Sequence, residues 1–275
     1  MTQPEAPSYG RAGRNLPAAV AVGVGLLSLV ILSLIFSPVF FAILAAGVMM
    51  LAVRELVAAL TVELPTSLKV VLYVVAPAMI IAAYFGGPEW LLGSFVGGVI
   101  AILMVRLTNG QEKYVSNVSR GIFILVYAPL MTGFAVLLAA SDKGAWKVLA
   151  FVLLTAATDL GGYISGVLFG AHPMAPKISP KKSWEGFAGA MALQITTGVI
   201  LWITVFDHSW WQGALVGIIM ALTATIGDLV ESMIKRDLGI KDMSALLPGH
   251  GGVMDRLDSL VVNAFVAWAL FNLFL

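Results

Sequence analysis

Residues 11–38 read RAGRNLPAAVAVGVGLLSLVILSLIFSP. Two arginines lead into about 20 residues without a charge, enough as a helix to cross a hydrocarbon core about 30 Å thick. Ser37-Pro38 at the far end is not a small-residue cleavage site, so the stretch reads as a signal anchor that stays in the membrane. The same pattern recurs along the chain. Of its 275 residues 60% are hydrophobic and 11% charged, against about 25% charged in soluble domains. An all-α integral membrane protein is expected, with about nine apolar spans at 17–36, 38–53, 67–84, 90–105, 121–140, 146–169, 187–206, 210–229 and 254–275.

Orientation follows from the basic residues. With the N-terminus in the cytoplasm and the C-terminus on the outer side, only Lys143 and Lys147 of the 16 Lys and Arg fall outside. The others, from Arg11 and Arg14 through Arg54, Arg106, Arg120 and Lys182 to Lys235 and Arg256, fall inside. The largest non-apolar segments, 106–120, 170–186 and 230–253, then share the cytoplasmic side, which places any active site at the cytoplasmic rim. The expected organisation is a disordered cytoplasmic tail over 1–16, N-terminal transmembrane helices over 17–140 and a catalytic transmembrane region over 141–275. A multi-pass protein of the cell (cytoplasmic) membrane follows. The chain has no cysteine and only three histidines; His172, His208 and His250 are far apart in sequence. Disulfide, thiolate and zinc chemistry are therefore not expected, and neither is a nucleic-acid partner.

An ionisable group inside a span costs about 2.5 to 3.5 kcal/mol on insertion scales, so each one asks for a role. Asp159 lies in the sixth span, Asp228 ends the eighth, and Asp255 begins the ninth, all in the cytoplasmic half. Glycines at 161, 162, 166 and 170 notch the sixth span for close approach of a helix or a ligand. The loop after it, broken by Pro173, Pro176 and Pro180, carries Lys177, Ser179, Lys181, Lys182 and Ser183, cations and hydroxyls suited to phosphate oxygens. A continued eighth helix would bring Ser232, Lys235 and Arg236 out on nearly one face. The chain then passes Lys241 and Asp242 to the turn Gly249-His250-Gly251-Gly252, which delivers Asp255, Arg256 and Asp258. Glycines there permit close backbone approach, and a helix N-terminus favours anions. Carboxylates on adjacent helix ends among Lys and Arg suggest Mg2+ held partly by protein and partly by substrate phosphates. Asp228 and Asp255 are the first candidates, with Asp159 or Asp258 as a further ligand. Glu231 and Asp237 are expected on solvated faces, and Trp184, Trp210 and Trp211 at the membrane interfaces.

The run Ser232, Lys235-Arg236, Lys241-Asp242, Pro248, His250-Gly251-Gly252, Asp255-Arg256 and Asp258 resembles the signature of the phosphatidate cytidylyltransferases, also called CDP-diacylglycerol synthases. Upstream, Asp159, Gly161, Tyr163, Gly166, Gly170, Pro176, Ser179-Pro180, Lys182 and Trp184-Glu185-Gly186 are similar to that family as well. Leu160 and Ser183 depart from it, standing where a small polar residue and a threonine are expected. The resemblance is sharp over residues 155–260 and general before them. It implies a reaction of CTP with phosphatidate that gives CDP-diacylglycerol and pyrophosphate, an Mg2+ requirement, and a homodimer. In that setting Lys235, Arg236 and Arg256 would neutralise phosphate, Ser179, Lys182, Ser232 and Lys241 would bind substrate, and His250, Gly251 and Gly252 would shape or contact the phosphate site. Two other readings are weaker. A CDP-alcohol phosphatidyltransferase needs a dense aspartate motif on one helix that is missing here, and an ion-coupled transporter would place carboxylates near the midplane.

Overall fold

The computed structural model describes residues 16–60, 63–246 and 251–275, with side chains from Gly23 onward. The tail before Leu16, and with it Arg11 and Arg14, lies outside the described residues, as does His250. The helices are α1 (Leu16–Phe36), α2 (Pro38–Ala59), α3 (Thr66–Leu107), α4 (Tyr114–Leu125), α5 (Met131–Ala140), α6 (Gly144–Phe169), α7 (Trp184–Thr204), α8 (Trp210–Asp237) and α9 (Met254–Phe274). Among the described residues, seven helical runs are long and apolar enough to cross a membrane. This is the architecture of an all-helical multi-pass membrane protein.

Several boundaries depart from the expected spans for local reasons. The spans at 67–84 and 90–105 fall within one 42-residue run, α3, whose regularity breaks at Gly87 with φ 71° just before Pro88. At 1.5 Å per residue that run would reach roughly 63 Å, twice the depth of a hydrocarbon core. Between α4 and α5 the chain stays helical through a π-helical stretch, Val126–Leu130, that contains Pro129. A proline cannot donate the usual intrahelical bond, and widening the turn absorbs the defect. Helix α2 starts on extended Ser37 with Pro38 in its first turn, a position where the missing N–H costs nothing. It then runs through Arg54 and Glu55, beyond the expected end at 53.

The loop after α6 is more ordered than its prolines suggested. Strands β1 (Pro173–Ala175) and β2 (Ser179–Ser183) form an antiparallel hairpin, pairing Pro173 with Ser183 and Ala175 with Ser179. Ser183 then caps α7, its Oγ accepting from the Gly186 amide at 3.1 Å, which satisfies one of the helix's open donors.

Small residues set the spacing between helices, as in other membrane bundles. A Cβ at Gly161 on α6 would stand 2.6 Å from the Gly189 carbonyl oxygen on α7. Gly161→Ala is therefore expected to destabilise by about 1–3 kcal/mol through forced separation of α6 and α7; thermal unfolding of the purified variant checks this, and an unchanged midpoint would refute it. Deeper in the bundle a polar seam joins four helices. Asn263 on α9 donates to Thr155 on α6 at 3.3 Å and accepts from Thr223 on α8, while Thr158 on α6 bonds to Gln194 on α7. Apolar side chains fill much of the rest of the interior, with Met49, Leu68, Met79, Leu91, Ile102 and Leu125 closed to solvent.

Candidate active site

A cleft of about 390 Å³ opens between α6, the hairpin, α7 and α8. One wall is Thr158, Asp159, Gly162, Tyr163 and Gly166 of α6 with Ala224, Thr225 and Asp228 of α8. Its roof is Met174, Lys181, Lys182 and Ser183 of the hairpin, and Gly186, Phe187 and Ala190 of α7 complete it. Asp159 is exposed in this cleft. Lys182 reaches across from β2, its Nζ 2.5 Å from Oδ2 of Asp228. The structure thus brings together a carboxylate from each of two membrane helices and a cation from the loop between α6 and α7.

The hairpin that carries Lys182 is held at both ends. Glu185, in the first turn of α7, accepts from the amides of Ala171 and His172 at 3.1 and 3.2 Å and contacts the His172 ring at 2.5 Å. At the tip, Arg236 Nε donates to the Ile178 carbonyl at 3.3 Å. Arg236 therefore meets the backbone of the hairpin.

A second charged cluster lies two turns further along α8, about 10 Å along the axis from Asp228. Helix α8 does continue as expected, ending near Gly239 with φ 68°. Lys235 Nζ lies 2.8 Å from Asp255 Oδ1 on α9 and pairs with Glu231 one turn back on α8. The expectation that Glu231 sits on a solvated face is corrected: its side chain is fully buried. Lys235 supplies the counter-charge that makes this burial tolerable. Asp237, by contrast, is exposed.

Asp255 is almost wholly occupied by the protein. Its Oδ2 accepts from the amides of Met243 at 2.8 Å and Gly252 at 2.7 Å, and its Oδ1 takes Lys235. Asp255 does not line the cleft. Asp258, one turn on, accepts from the Ser259 amide at 2.7 Å. Its carbonyl closes on Gly227, where a Cβ would stand 2.9 Å away, beside Asp228. Ser179 and Ser232 are half-buried, Lys241 is exposed, and Arg256 is half-buried in the first turn of α9. None of these four lines the cleft.

One residue of the cluster had not been singled out in the sequence. Glu55 of α2, 4% exposed, accepts from Val253 N and Met254 N at 2.8 and 2.9 Å and from Ser244 Oγ at 2.6 Å. Two open amides at the start of α9 are thus taken by a carboxylate from the N-terminal half. The glycine pair serves the same arrangement. A Cβ at Gly252 would stand 2.6 Å from Glu55 Oε2, and one at Gly251, where φ is 75°, 2.6 Å from Asp255 Oδ2. Absent side chains here admit two carboxylates to the backbone.

Among the described residues, no three carboxylates or histidines are placed to cage a metal by themselves. Asp159 and Asp228 facing one cleft provide hard oxygen donors of the kind that hold Mg2+ jointly with substrate phosphates.

A sequence model of the cytidylyltransferase family matches residues 17–274. The chain is 38% identical over 289 residues to a phosphatidate cytidylyltransferase of Mycobacterium leprae, covering 96% of this chain and 89% of that protein. It is 39% identical over 285 residues to one of Mycobacterium tuberculosis H37Rv, covering 98% and 87%. A phosphatidate cytidylyltransferase of Staphylococcus epidermidis is 30% identical over 243 residues, covering 85% and 92%. With a match that runs from the first helix to the last, the chain belongs to the cytidylyltransferase family.

Proposed function

We propose that this chain transfers the cytidylyl group of CTP to phosphatidate, giving CDP-diacylglycerol and pyrophosphate. The observation that carries the reading is the cleft itself, where Asp159 and Asp228 from membrane helices meet Lys182 from the hairpin. A soluble nucleotide and an anionic lipid need a common meeting point, and a charged cleft at the rim of apolar helices offers one.

A non-bridging oxygen of the phosphatidate monoester attacks the α-phosphorus of CTP in line. The new P–O bond forms as the bond from the α-phosphorus to the oxygen bridging to the β-phosphorus breaks, and pyrophosphate departs with that oxygen. Monoester phosphates have a second pKa of about 6, so the attacking group is largely ionised near neutral pH and no general base is needed. The protein's work is positioning and charge neutralisation. Lys182 and Lys181 answer the phosphate charge from above, and Ser183 offers a hydroxyl beside them. Asp228 and Asp159, with Asp258 next to Gly227, would hold Mg2+, while Asp255 stands outside the cleft lining, bonded to Lys235 and two backbone amides. When bound, Mg2+ neutralises phosphate oxygens and draws charge from the leaving group.

Nine crossings accord with the break at Gly87 in α3 and with α1 as a separate helix. Together with the distribution of Lys and Arg, this favours a cytoplasmic N-terminus, an external C-terminus, a cytoplasmic cleft and residence in the cell membrane. A homodimer and a catalytic region beginning near residue 141 complete the proposal.

Purified protein in phosphatidate-containing micelles should convert CTP to CDP-diacylglycerol with release of pyrophosphate, and only with Mg2+ present. A folded protein that forms no lipid-linked cytidylate would sink the reading.

A further inference from the structure

The α8–α9 loop is held by two buried carboxylates, and only one belongs to the motif region. Asp255 takes the amides of Met243 and Gly252, while Glu55, nearly 200 residues earlier, takes those of Val253 and Met254 together with the Ser244 hydroxyl. The second carboxylate comes from a helix that contributes nothing to the cleft lining. We infer that Glu55 is a positioning residue for cytidylyl transfer: by holding the first amides of α9 it sets where that helix meets α8 beside Asp228.

The route is short and continuous. Glu55 bonds residues 253 and 254, whose amides open α9. One and two turns on, the Asp258 carbonyl and Val262 close on Gly227, so near that a Cβ there would stand 2.9 Å from the carbonyl oxygen and 3.2 Å from Val262. Asp228 follows Gly227 directly and faces Lys182 in the cleft. A helix N-terminus also attracts negative charge through its open amides and dipole, so a carboxylate is the fitting partner and its amide isostere is not. In Glu55→Gln, one acceptor oxygen becomes an N–H donor facing another N–H.

Since Glu55 touches no cleft residue, its loss acts on the geometry of the reacting groups and spares the surfaces that take up substrate. Small misplacements of this kind lower kcat by up to about 10²-fold. The inference rests on the proposed cytidylyl transfer, so its test includes a limb that does not need activity.

The experiment uses the full-length protein in lipid nanodiscs, comparing the parent with Glu55→Gln and with Leu56→Ala. Leu56, 2% exposed and next on α2, provides a destabilised control that leaves the three hydrogen bonds of Glu55 intact. Steady-state kinetics, melting temperature and hydrogen–deuterium exchange over residues 251–256 are measured for each. Glu55→Gln is expected to lower kcat by about 10- to 100-fold, to leave KM for CTP and for phosphatidate within about threefold, and to speed exchange at Val253 and Met254. Leu56→Ala is expected to melt earlier while keeping kcat within about threefold at a temperature well below its midpoint. Parent-like kcat or unchanged exchange in Glu55→Gln overturns the inference, and so does an equal kcat loss in Leu56→Ala. An inactive parent overturns the functional reading instead, and the exchange limb then still decides whether Glu55 holds the start of α9.

Discussion

Asp228→Asn is expected to lower kcat by about 10² to 10³-fold, the scale on which losing one positioned electrostatic contact is felt. Asp228 stands where α8 enters the cleft, opposite Asp159, with Lys182 at 2.5 Å. The substitution keeps shape but removes the charge, which weakens both a hard-cation site and the hold on the lysine. The Mg2+ concentration for half-maximal rate should rise along with the fall in kcat. The fold should survive, since the Asp228 side chain is 33% exposed and Lys182 22% exposed, so water can replace the lost partner,. Lys182→Met should act differently, raising KM for CTP more than it changes the Mg2+ requirement, since in the proposed reaction the lysine answers phosphate and not metal. Turnover of Asp228→Asn within about threefold of the parent, with a parent-like Mg2+ curve, would remove Asp228 from the metal site.

The placement of Asp228 was legible in the sequence because a carboxylate at the end of an apolar span has few explanations. Glu55 is less legible. The apolar span of α2 ends at 53 in the sequence, yet the helix continues to Ala59 and buries Glu55. Hydropathy locates where a span loses its apolar character, but it does not say which side of a helix faces the protein. Glu231 was misjudged for a related reason. Its helical neighbourhood is polar, and only the arrival of α9, carrying Asp255 to Lys235, turns that polar face into an interior. The glycine pair at 251–252 was visible as a tight turn with close approach, but not what approaches. The protein's own carboxylates stand there. The hairpin escaped for the opposite reason, because three prolines hide a short antiparallel pairing that needs few backbone donors,.

Lys235 is the residue on which these partly legible pieces depend most. Its side chain is 16% exposed, between Glu231 at 0% and Asp255 at 4%. Removing one partner of a buried ion pair costs about 3–5 kcal/mol, because the charges left behind are out of reach of water. Lys235→Met strands two carboxylates, one of them in the first turn of α9. The expected result is a fall in melting temperature on the order of 10 °C, with a poor yield of folded protein. The effect should be strongly coupled. Glu231→Gln in the same chain removes one of the stranded charges, so the double variant should melt above Lys235→Met alone. A purely catalytic Lys235 would give the reverse pattern, with a parent-like melting point and lost turnover. If Lys235→Met melts within roughly 2 °C of the parent, the lysine is not the counter-ion of the α8–α9 junction. Phosphate, not the paired carboxylates, would then be its natural partner.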